Sequence, residues 1–305
     1  MPLTDARLAT VLARLGLSSP PTVDRAGLNR LYGAWCQSVP FDNTRKLIAL
    51  RSTAPGPLPG IDPVDFLDTW LEHGVGGTCW PSCNAFYTVV VACGFDATRV
   101  TASMADLGPP NHGTILVGLD GRDYLVDTSM LLNRAVPVTR DETGIDDDPL
   151  KPVEYETVDG AVRLWFEFVR RDETFSIPCR LMTRGVDESV FDALYEASRR
   201  VGPFNDQLVA TRNFPDRVVA MHARWETSRF RDGSVVTVEH DGAGLRNALI
   251  GTIGLSPAFV DAWAASGALE ASLGERPPPT GPAMPAVPPS RRGREKDTPN
   301  VHIEE

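Results

Sequence analysis

The chain of 305 residues predicts an α+β fold, and three changes of pattern along it carry that prediction. Apolar residues recur at helical spacing through roughly the first ninety positions, then give way to runs of strand formers as far as about residue 169. A helix, further strands and a last helix follow, up to about residue 265. A compact helical bundle, a small barrel or strongly curved sheet, and a smaller α/β lobe are expected from this order. They are taken over 1–84, 85–187 and 188–274, with 275–305 as a stretch of a different kind.

In the first unit Leu8, Val11, Leu12 and Leu15 share one helix face, with Arg7 and Arg14 between them. That is an amphipathic helix rather than a signal peptide. A second helix follows Pro20-Pro21-Thr22 and carries the stripe Leu28, Leu31, Tyr32 and Trp35; a third centres on Phe66, Leu67, Trp70 and Leu71. Between Asn43 and Asp62, Ala54-Pro55-Gly56-Pro57-Leu58-Pro59-Gly60 marks a loop. The next helix opens at Cys79. Gly76-Gly77-Thr78 reads as a tight loop with an N-capping threonine, and Pro81 falls in the first turn, where a missing N–H costs nothing. Trp80, Phe86, Val89, Val90 and Cys93 are apolar, and Gly94 ends the helix.

Strand formers then occupy Ala97 to Ser103, Thr114 to Leu119, Arg122 to Val126, Val153 to Val158 and Val162 to Val169, with Asp120-Gly121 and Asp159-Gly160 as hairpin turns. In the last unit a helix from Glu188 to Val201 precedes strands near Val218 to Trp225 and Val235 to His240, and a helix from Pro257 to Ala265. From about Glu275 the chain runs through Arg276-Pro277-Pro278-Pro279 and Pro288-Pro289-Ser290-Arg291-Arg292. Such a segment has no apolar surface to bury and is expected to be a disordered, solvated tail.

Composition removes whole classes of function. Hydrophobic residues make up 42%, enough for a real core. Forty acidic against thirty basic residues leave a net charge of −10, which argues against nucleic acid or an anionic membrane as partner. An anionic substrate would need a local basic pocket. No apolar run approaches the ~20 residues of a membrane span. Five cysteines, an odd and sparse set, fit a reducing compartment, so the expected location is the cytoplasm.

A nucleophile, a base and an orienter are available in Cys79, His112 and Asp127. Counting back from the Asp120-Gly121 turn sets Leu119 opposite Arg122, Thr114 opposite Asp127 and His112 opposite Ser129. His112 and Asp127 then project from one face, a diagonal step of roughly 7–8 Å apart. Cys79 stands at a helix N-terminus, among backbone N–H groups and the positive end of the helix dipole, which stabilise a thiolate. By contrast Cys36, Cys93 and Cys179 read as buried small hydrophobes. His73, His222 and His240 read as hydrogen-bonded structural residues, and His302 lies in the polar tail. A metal site from Cys79, Cys83, His112 and Asp127 is the alternative use of the same residues. No second cysteine pair at zinc-ribbon spacing supports it, and no metal is expected.

Several segments resemble the arylamine N-acetyltransferases, which carry "RIGL" and then "IPFEN". They are Ala13-Arg14-Leu15-Gly16-Leu17, Val39-Pro40-Phe41-Asp42-Asn43, the Gly-Gly-x-Cys loop ending at Cys79, Cys93-Gly94-Phe95, His112 and Tyr124-Leu125-Val126-Asp127. Asn205, Ala210-Thr211, Pro215 and Asp232-Gly233 extend the likeness, which covers roughly residues 5 to 270. The resemblance implies a papain-like fold in three parts: a helical bundle carrying the nucleophile, a β-barrel carrying the His and Asp, and an α/β lid. It further implies a Cys79-His112-Asp127 triad and ping-pong chemistry, with an acyl-coenzyme A (acyl-CoA) as co-substrate and an amine or hydrazine as acceptor. By the same likeness Phe41 lines the acceptor pocket, and the Cys79 N–H is a candidate oxyanion donor.

Departures from the family pattern bear on specificity. Val75 and Pro81 stand where the family has an Arg before the glycines and a Glu two residues after the cysteine, so both partners of a charged pair are gone together. Thr128-Ser129-Met130-Leu131-Leu132 replaces a glycine-rich loop after the aspartate, and its bulk is expected to change which acyl group or acceptor fits. Three alternatives stay open: an amide synthase releasing a polyketide from a carrier-bound thioester, a cysteine thioesterase or hydrolase on the same scaffold, and a non-catalytic binding module, against which an intact triad argues.

Overall fold

Five helices and one short strand make up the first ninety residues: α1 (Asp5–Arg14), α2 (Arg25–Ser38), β1 (Phe41–Asp42), α3 (Thr44–Arg51), α4 (Pro63–His73) and α5 (Cys79–Ala92). The computed structural model describes residues 3–54, 56–138, 143–158, 161–171 and 173–275. The expected turn at Asp159-Gly160 and the tail from Arg276 onward lie outside these residues. Local chemistry sets the helix ends. Asp24 accepts from the Gly27 N–H and Asp62 from those of Val64 and Asp65, while Gly74 takes a left-handed φ of 71° to close α4. The stripe on α2 is wholly buried, and Trp35 packs its ring against Phe66, Trp70 and Phe86, at 6.0, 6.2 and 4.8 Å between centroids. One indole thereby locks α2, α4 and α5 together.

Helix α3 corrects the loop expected over Asn43 to Asp62. Its N-cap, Asn43, caps nothing with its side chain. The amide is used at long range instead, donating to the Phe204 and Gln207 carbonyls and accepting from the Val209 N–H. No local signal marks such a start.

The barrel is an eight-stranded antiparallel sheet in the order β5-β4-β3-β2-β9-β8-β7-β6, from β2 (Asp96–Met104), β3 (His112–Leu119), β4 (Arg122–Val126), β5 (Val136–Pro137), β6 (Gly144–Asp146), β7 (Val153–Val158), β8 (Ala161–Arg170) and β9 (Glu173–Arg184). Arg134, just before edge strand β5, pairs with Asp146 on the opposite edge strand β6 and draws the two edges together. Strand β9 is central and was not expected. Pro178 within it argues against a central strand, but the β2 ladder stops at Met104 opposite Cys179, so Pro178 lies beyond it and its carbonyl accepts from the Ala105 N–H at 2.7 Å.

After α6 (Glu188–Ala197) comes a five-stranded antiparallel sheet, β1-β10-β11-β12-β13, from β10 (Val209–Asn213), β11 (Arg217–His222), β12 (Trp225–Phe230) and β13 (Val235–Glu239). The single strand expected over Val218 to Trp225 is in fact two, turned at Ala223 with φ 54°, a position without the usual Gly or Asn signal. Helices α7 (Gly242–Ala248), α8 (Pro257–Ala265) and α9 (Ala268–Leu273) cover one face of this sheet, where Ala210 and Met221 pack with Leu245, Leu249 and Trp263. Leu47 of α3 joins that second core, and β1 is the sheet's edge strand, so the N-terminal third is woven into the second sheet. Position 84/85 falls inside α5, which runs unbroken to Ala92. Among the described residues no helix is long and apolar enough to cross a membrane.

Candidate active site

Cys79 is the first residue of α5, and the approach to it is fixed by β1. The Asp42 N–H donates to the Gly77 carbonyl at 3.2 Å, and the Gly76 N–H donates to Asp42 Oδ2 at 2.7 Å. Asp42 Oδ1 accepts from the Thr44 N–H and hydroxyl at 3.0 and 2.5 Å. Burial pushes the Asp42 carboxyl up, against the pull of these donors. A Cβ on Gly76 would lie 1.8 Å from the Pro40 carbonyl oxygen, so only glycine lets β1 come this close. Thr78 takes the N-cap position as expected, yet its side chain makes no capping bond; its hydroxyl turns to Tyr195. The N–H groups of the first turn are therefore not consumed by the cap.

His112 opens β3 and Asp127 follows β4. The ladder runs from Leu119 opposite Arg122 to Ile115 opposite Val126, the register counted from the hairpin turn. His112 Nε2 and Asp127 Oδ2 are 2.7 Å apart. The second carboxylate oxygen accepts from the Ser129 and Met130 N–H groups at 2.9 and 3.0 Å. With Nε2 occupied, Nδ1 is the ring atom left for Cys79. The two halves are brought together at Gly113, next to His112. A Cβ there would lie 2.6 Å from the Trp80 ring, and the Cys83 thiol donates to the Gly113 carbonyl at 2.9 Å, so α5 sits directly on the β3 backbone.

All three side chains are enclosed, with Cys79 at 5%, His112 at 4% and Asp127 at 1% exposure. Burial works against a charged His112, but the Asp127 carboxylate and the Cys79 sulfur outweigh it and raise the imidazole to about 10. Asp127 moves the other way. Burial alone would raise it, and the imidazolium together with the Ser129 and Met130 N–H groups holds it below its ordinary value. Near neutral pH the pair is an imidazolium and a carboxylate. The remaining cysteines differ in kind: burial pushes Cys36 up to about 12, Cys93 to about 11, and Cys83 and Cys179 well above the usual thiol range.

Three residues serve the site without having been picked out from the sequence. Tyr32, part of an apolar helix stripe, donates its hydroxyl to the Asp127 carbonyl at 2.6 Å and accepts from the Asp127 and Leu132 N–H groups at 3.1 and 3.0 Å. Asp42 is the anchor already described. Lys46 is buried at 2% exposure, donates to Ser198 Oγ at 2.8 Å and lies 5.6 Å from the centre of the Tyr195 ring, whose hydroxyl meets Thr78. Burial lowers its ammonium to about 8, with the Cys79 charge opposing that fall. Phe41, singled out from the sequence, is buried on β1 with its ring edge-on to Phe204 at 5.3 Å. Cys83 is engaged with Gly113 and, at 3.1 Å, with the Thr128 hydroxyl, apart from the His112–Asp127 pair. Among the described residues no three His, Cys, Asp or Glu side chains are grouped to hold a metal ion.

Comparison with known proteins gives the family and the fold. The profile of the N-acetyltransferase family matches residues 24–250. The fold is similar to that of a Mycobacterium smegmatis N-arylamine acetyltransferase, with a TM-score of 0.74 at 16% identity over 87% of this chain and 98% of that one. It is similar also to the Mycobacterium marinum arylamine N-acetyltransferase in complex with CoA (TM-score 0.71, 19% identity, 87% and 98%) and to the Salmonella typhimurium enzyme (0.69, 18%, 86% and 100%). Proansamycin X synthase of Amycolatopsis mediterranei (strain S699) is 28% identical over 124 residues, which are 39% of this chain. The match spans less than half of that relative, 46% of its length. With the family profile covering most of the chain and the eight-stranded barrel set between helices and a second sheet, the protein belongs to the arylamine N-acetyltransferase family of acyltransferases.

Proposed function

We propose that the protein moves an acyl group from an acyl-CoA thioester to an amine or hydrazine through an acyl-Cys79 intermediate. The observation that carries this reading is the enclosed His112–Asp127 pair at 2.7 Å, with His112 raised to about 10 beside a cysteine at a helix N-terminus. The thiolate attacks the thioester carbonyl, and the backbone N–H of Cys79 is the candidate donor to the developing oxyanion. As the tetrahedral species collapses, the C–S bond to CoA breaks and the leaving thiolate takes the His112 proton. Neutral His112 then accepts a proton from the attacking amine. The bond to Cys79 Sγ breaks, and the thiolate–imidazolium pair is restored. Asp127 fixes the ring and stabilises its charge throughout.

Two features support a shifted specificity and transfer over hydrolysis. Ser129, Leu131 and Leu132 are buried beside Asp127, and the Leu131 carbonyl accepts from Asn213 Nδ2 of the lid sheet at 2.6 Å, so the bulky loop is clamped rather than open. A nucleophile only 5% exposed also gives bulk water little access to its acyl thioester. Phe41, edge-on to Phe204, would line the acceptor side of the site. The likeness to proansamycin X synthase supports a second reading, an amide synthase acting on a carrier-bound thioester. Intact mass spectrometry after incubation with short and long acyl-CoA thioesters, followed by peptide mapping, tests the proposal. An acyl adduct on Cys79 is expected, and transfer that leaves Cys79 unmodified while another residue carries the acyl group would overturn it.

A further inference from the structure

An unpaired edge strand is a template for any other strand, so proteins close their sheet edges or spoil them with charge, proline or a bulge. Three of the four sheet edges here are closed. The barrel ends in the two-residue β5 and the three-residue β6, which Arg134 and Asp146 draw together. The second sheet begins at β1, also two residues long and buried, which is bridged to Gly77 on the side away from β10. Its other edge is β13, and among the described residues no strand pairs with its outer side.

Strand β13 carries none of the usual protections. It reads Val235-Val236-Thr237-Val238-Glu239, pairs with β12 without a register shift and is exposed along its whole length, with the three valines at 40, 51 and 42%. Its one charge, Glu239, stands at the strand end and is paired with Arg224 of the same chain at 2.9 Å. Backbone phase decides what the edge offers. The Ser234 carbonyl accepts from the Phe230 N–H and the His240 N–H donates to the Arg224 carbonyl, each at 2.9 Å, so the even-numbered residues spend their backbone groups on β12. Val235, Thr237 and Glu239 turn theirs outward. Side chains alternate between the two faces: Val236 and Val238 lie on the face of Met221, which the helices cover, and Thr237 lies on the face of Thr227 and Phe41.

We propose that β13 is the contact surface of a homodimer, in which the β13 strands of two copies pair antiparallel about a twofold axis at Thr237. A second copy fits because this edge is its own complement. With Thr237 facing its mate, Val235 faces the partner's Glu239 and Val236 faces the partner's Val238. The three outward residues of each copy then meet, and three pairs exchanging two bonds each give six backbone hydrogen bonds. A shift of two residues either way leaves two such pairs. On the helix face the valines at 236 and 238 of both copies form one apolar cluster. The two Glu239 carboxylates stand at opposite ends, about 14 Å apart, so no like charges are opposed. The two five-stranded sheets become one of ten, with both β1 edges, which hold the Cys79 loops, outermost and unobstructed. A contact of five residues is small, and a net charge of −10 on each copy opposes it. The dimer is therefore weak, half formed at about 10–100 µM protein and tightened by salt.

Sedimentation velocity of the full-length protein from about 1 to 300 µM tests this, with a shift from monomer to dimer expected across that range. Thr237→Pro removes an outward N–H that β12 does not use, so the hairpin keeps its ladder while the central pair is lost. Val236→Lys sets two ammonium groups against the apolar cluster. Each should raise the dissociation constant about tenfold or more and leave the circular dichroism and the alkylation rate of Cys79 within about twofold of wild type. Cross-linking locates the axis. In a Cys79→Ser background, Thr237→Cys should join to its mate under diamide, because the two Cα atoms are ~5.5 Å apart, whereas Val235→Cys, about 14 Å from its mate, should not. A wild type that stays monomeric at the highest concentration, a dimer that neither substitution weakens, or equal cross-linking at both positions overturns the proposal. So does a wild type that dimerises only once residues 276–305 are deleted, since the tail would then be the occupant of this edge.

Discussion

Replacing Asp127 by Asn tests the central pair, because the structure dictates how the amide must sit. Oδ1 accepts two backbone N–H groups, from Ser129 and Met130, so the carbonyl oxygen of Asn has to take that place. The NH₂ then faces His112 Nε2, which can only accept. A neutral ring in that tautomer carries its proton on Nδ1, pointing at Cys79, and cannot take one from it. The charged ring is lost as well. Without the carboxylate, burial is opposed only by the Cys79 sulfur, and His112 falls from about 10. Together the two effects should lower acylation of Cys79 by about 10³-fold. Alkylation by iodoacetamide gives the same result without a substrate. Near neutral pH the variant should be alkylated more slowly than the wild type.

Stability supplies an independent check of sign. A raised His112 contributes stability that is fully present below pH 6.5 and lost as pH climbs through about 10. A lowered Asp127 contributes above pH 3.8 and loses that contribution as acid passes its folded-state value. The urea midpoint of wild type should therefore exceed that of the Asn variant most between these limits, and the gap should narrow from pH 6.5 to 10. An unchanged alkylation rate at neutral pH removes Asp127 from the mechanism.

Other substitutions separate chemistry from packing. Cys79→Ser should abolish turnover with the urea midpoint unmoved, whereas Cys83→Ser, whose sulfur bonds only Gly113 and Thr128, should keep activity within about tenfold at a cost of about 1–2 kcal/mol. The reverse result would name the wrong cysteine. Tyr32→Phe orphans the Asp127 and Leu132 N–H groups, while the Asp127 carbonyl keeps the Leu131 N–H, so urea unfolding should show a loss of about 2–4 kcal/mol and acylation should slow; a variant as stable and active as wild type would mean that Asp127 is held by other means. Lys46→Met leaves Ser198 satisfied, its hydroxyl donating to the Tyr195 carbonyl and its own carbonyl accepting from Asn205. It should therefore gain about 1–2 kcal/mol at pH 7. Because the Lys46 penalty is full below about pH 8 and relieved as pH rises to 10.5, that gain should fade over this range, and a loss at pH 7 would show that the ammonium is a net anchor.

What could be read along the chain was whatever the chain decides locally. Strand β4 and helix α8 fall on the expected residues because a two-residue Asp-Gly turn and a Pro at the helix start specify them within a few positions. The same turn fixed the register that brings His112 to Asp127, so the pair was legible from residues fifteen apart. Cys79 was legible as a helix start. Elements decided by distant partners were not: α3 hangs on Asn43 reaching Phe204, Gln207 and Val209, β9 is ordered between β2 and β8 despite Pro178, and the turn at Ala223 uses a conformation its sequence does not advertise. The supports of the site belong to this second class. Nothing near Tyr32 distinguishes a hydroxyl that holds residues ninety-five positions away from one buried for its ring.

The departures from the family pattern become intelligible once packing is considered. Val75, where the family carries Arg, is fully buried in the second core with Leu208, Ile253 and Leu255, and Pro81 closes against Gly77, whose Cβ would meet it at 3.1 Å. Each position thus makes apolar contact of its own, and buried sites accept the loss of a charged pair readily when both partners leave together. The loop before Cys79 still needs to be held, and here hydrogen bonds replace charge: Asp42, without a carboxylate-matching cation in direct contact among the described residues, spends one oxygen on the Gly76 N–H and the other on Thr44. A short carboxylate reaching backbone donors tolerates less movement than an ion pair between two long side chains. Asp42→Glu should therefore displace the nucleophile and cost more activity than its single added methylene suggests, and Asp42→Asn, which keeps the length, should cost less.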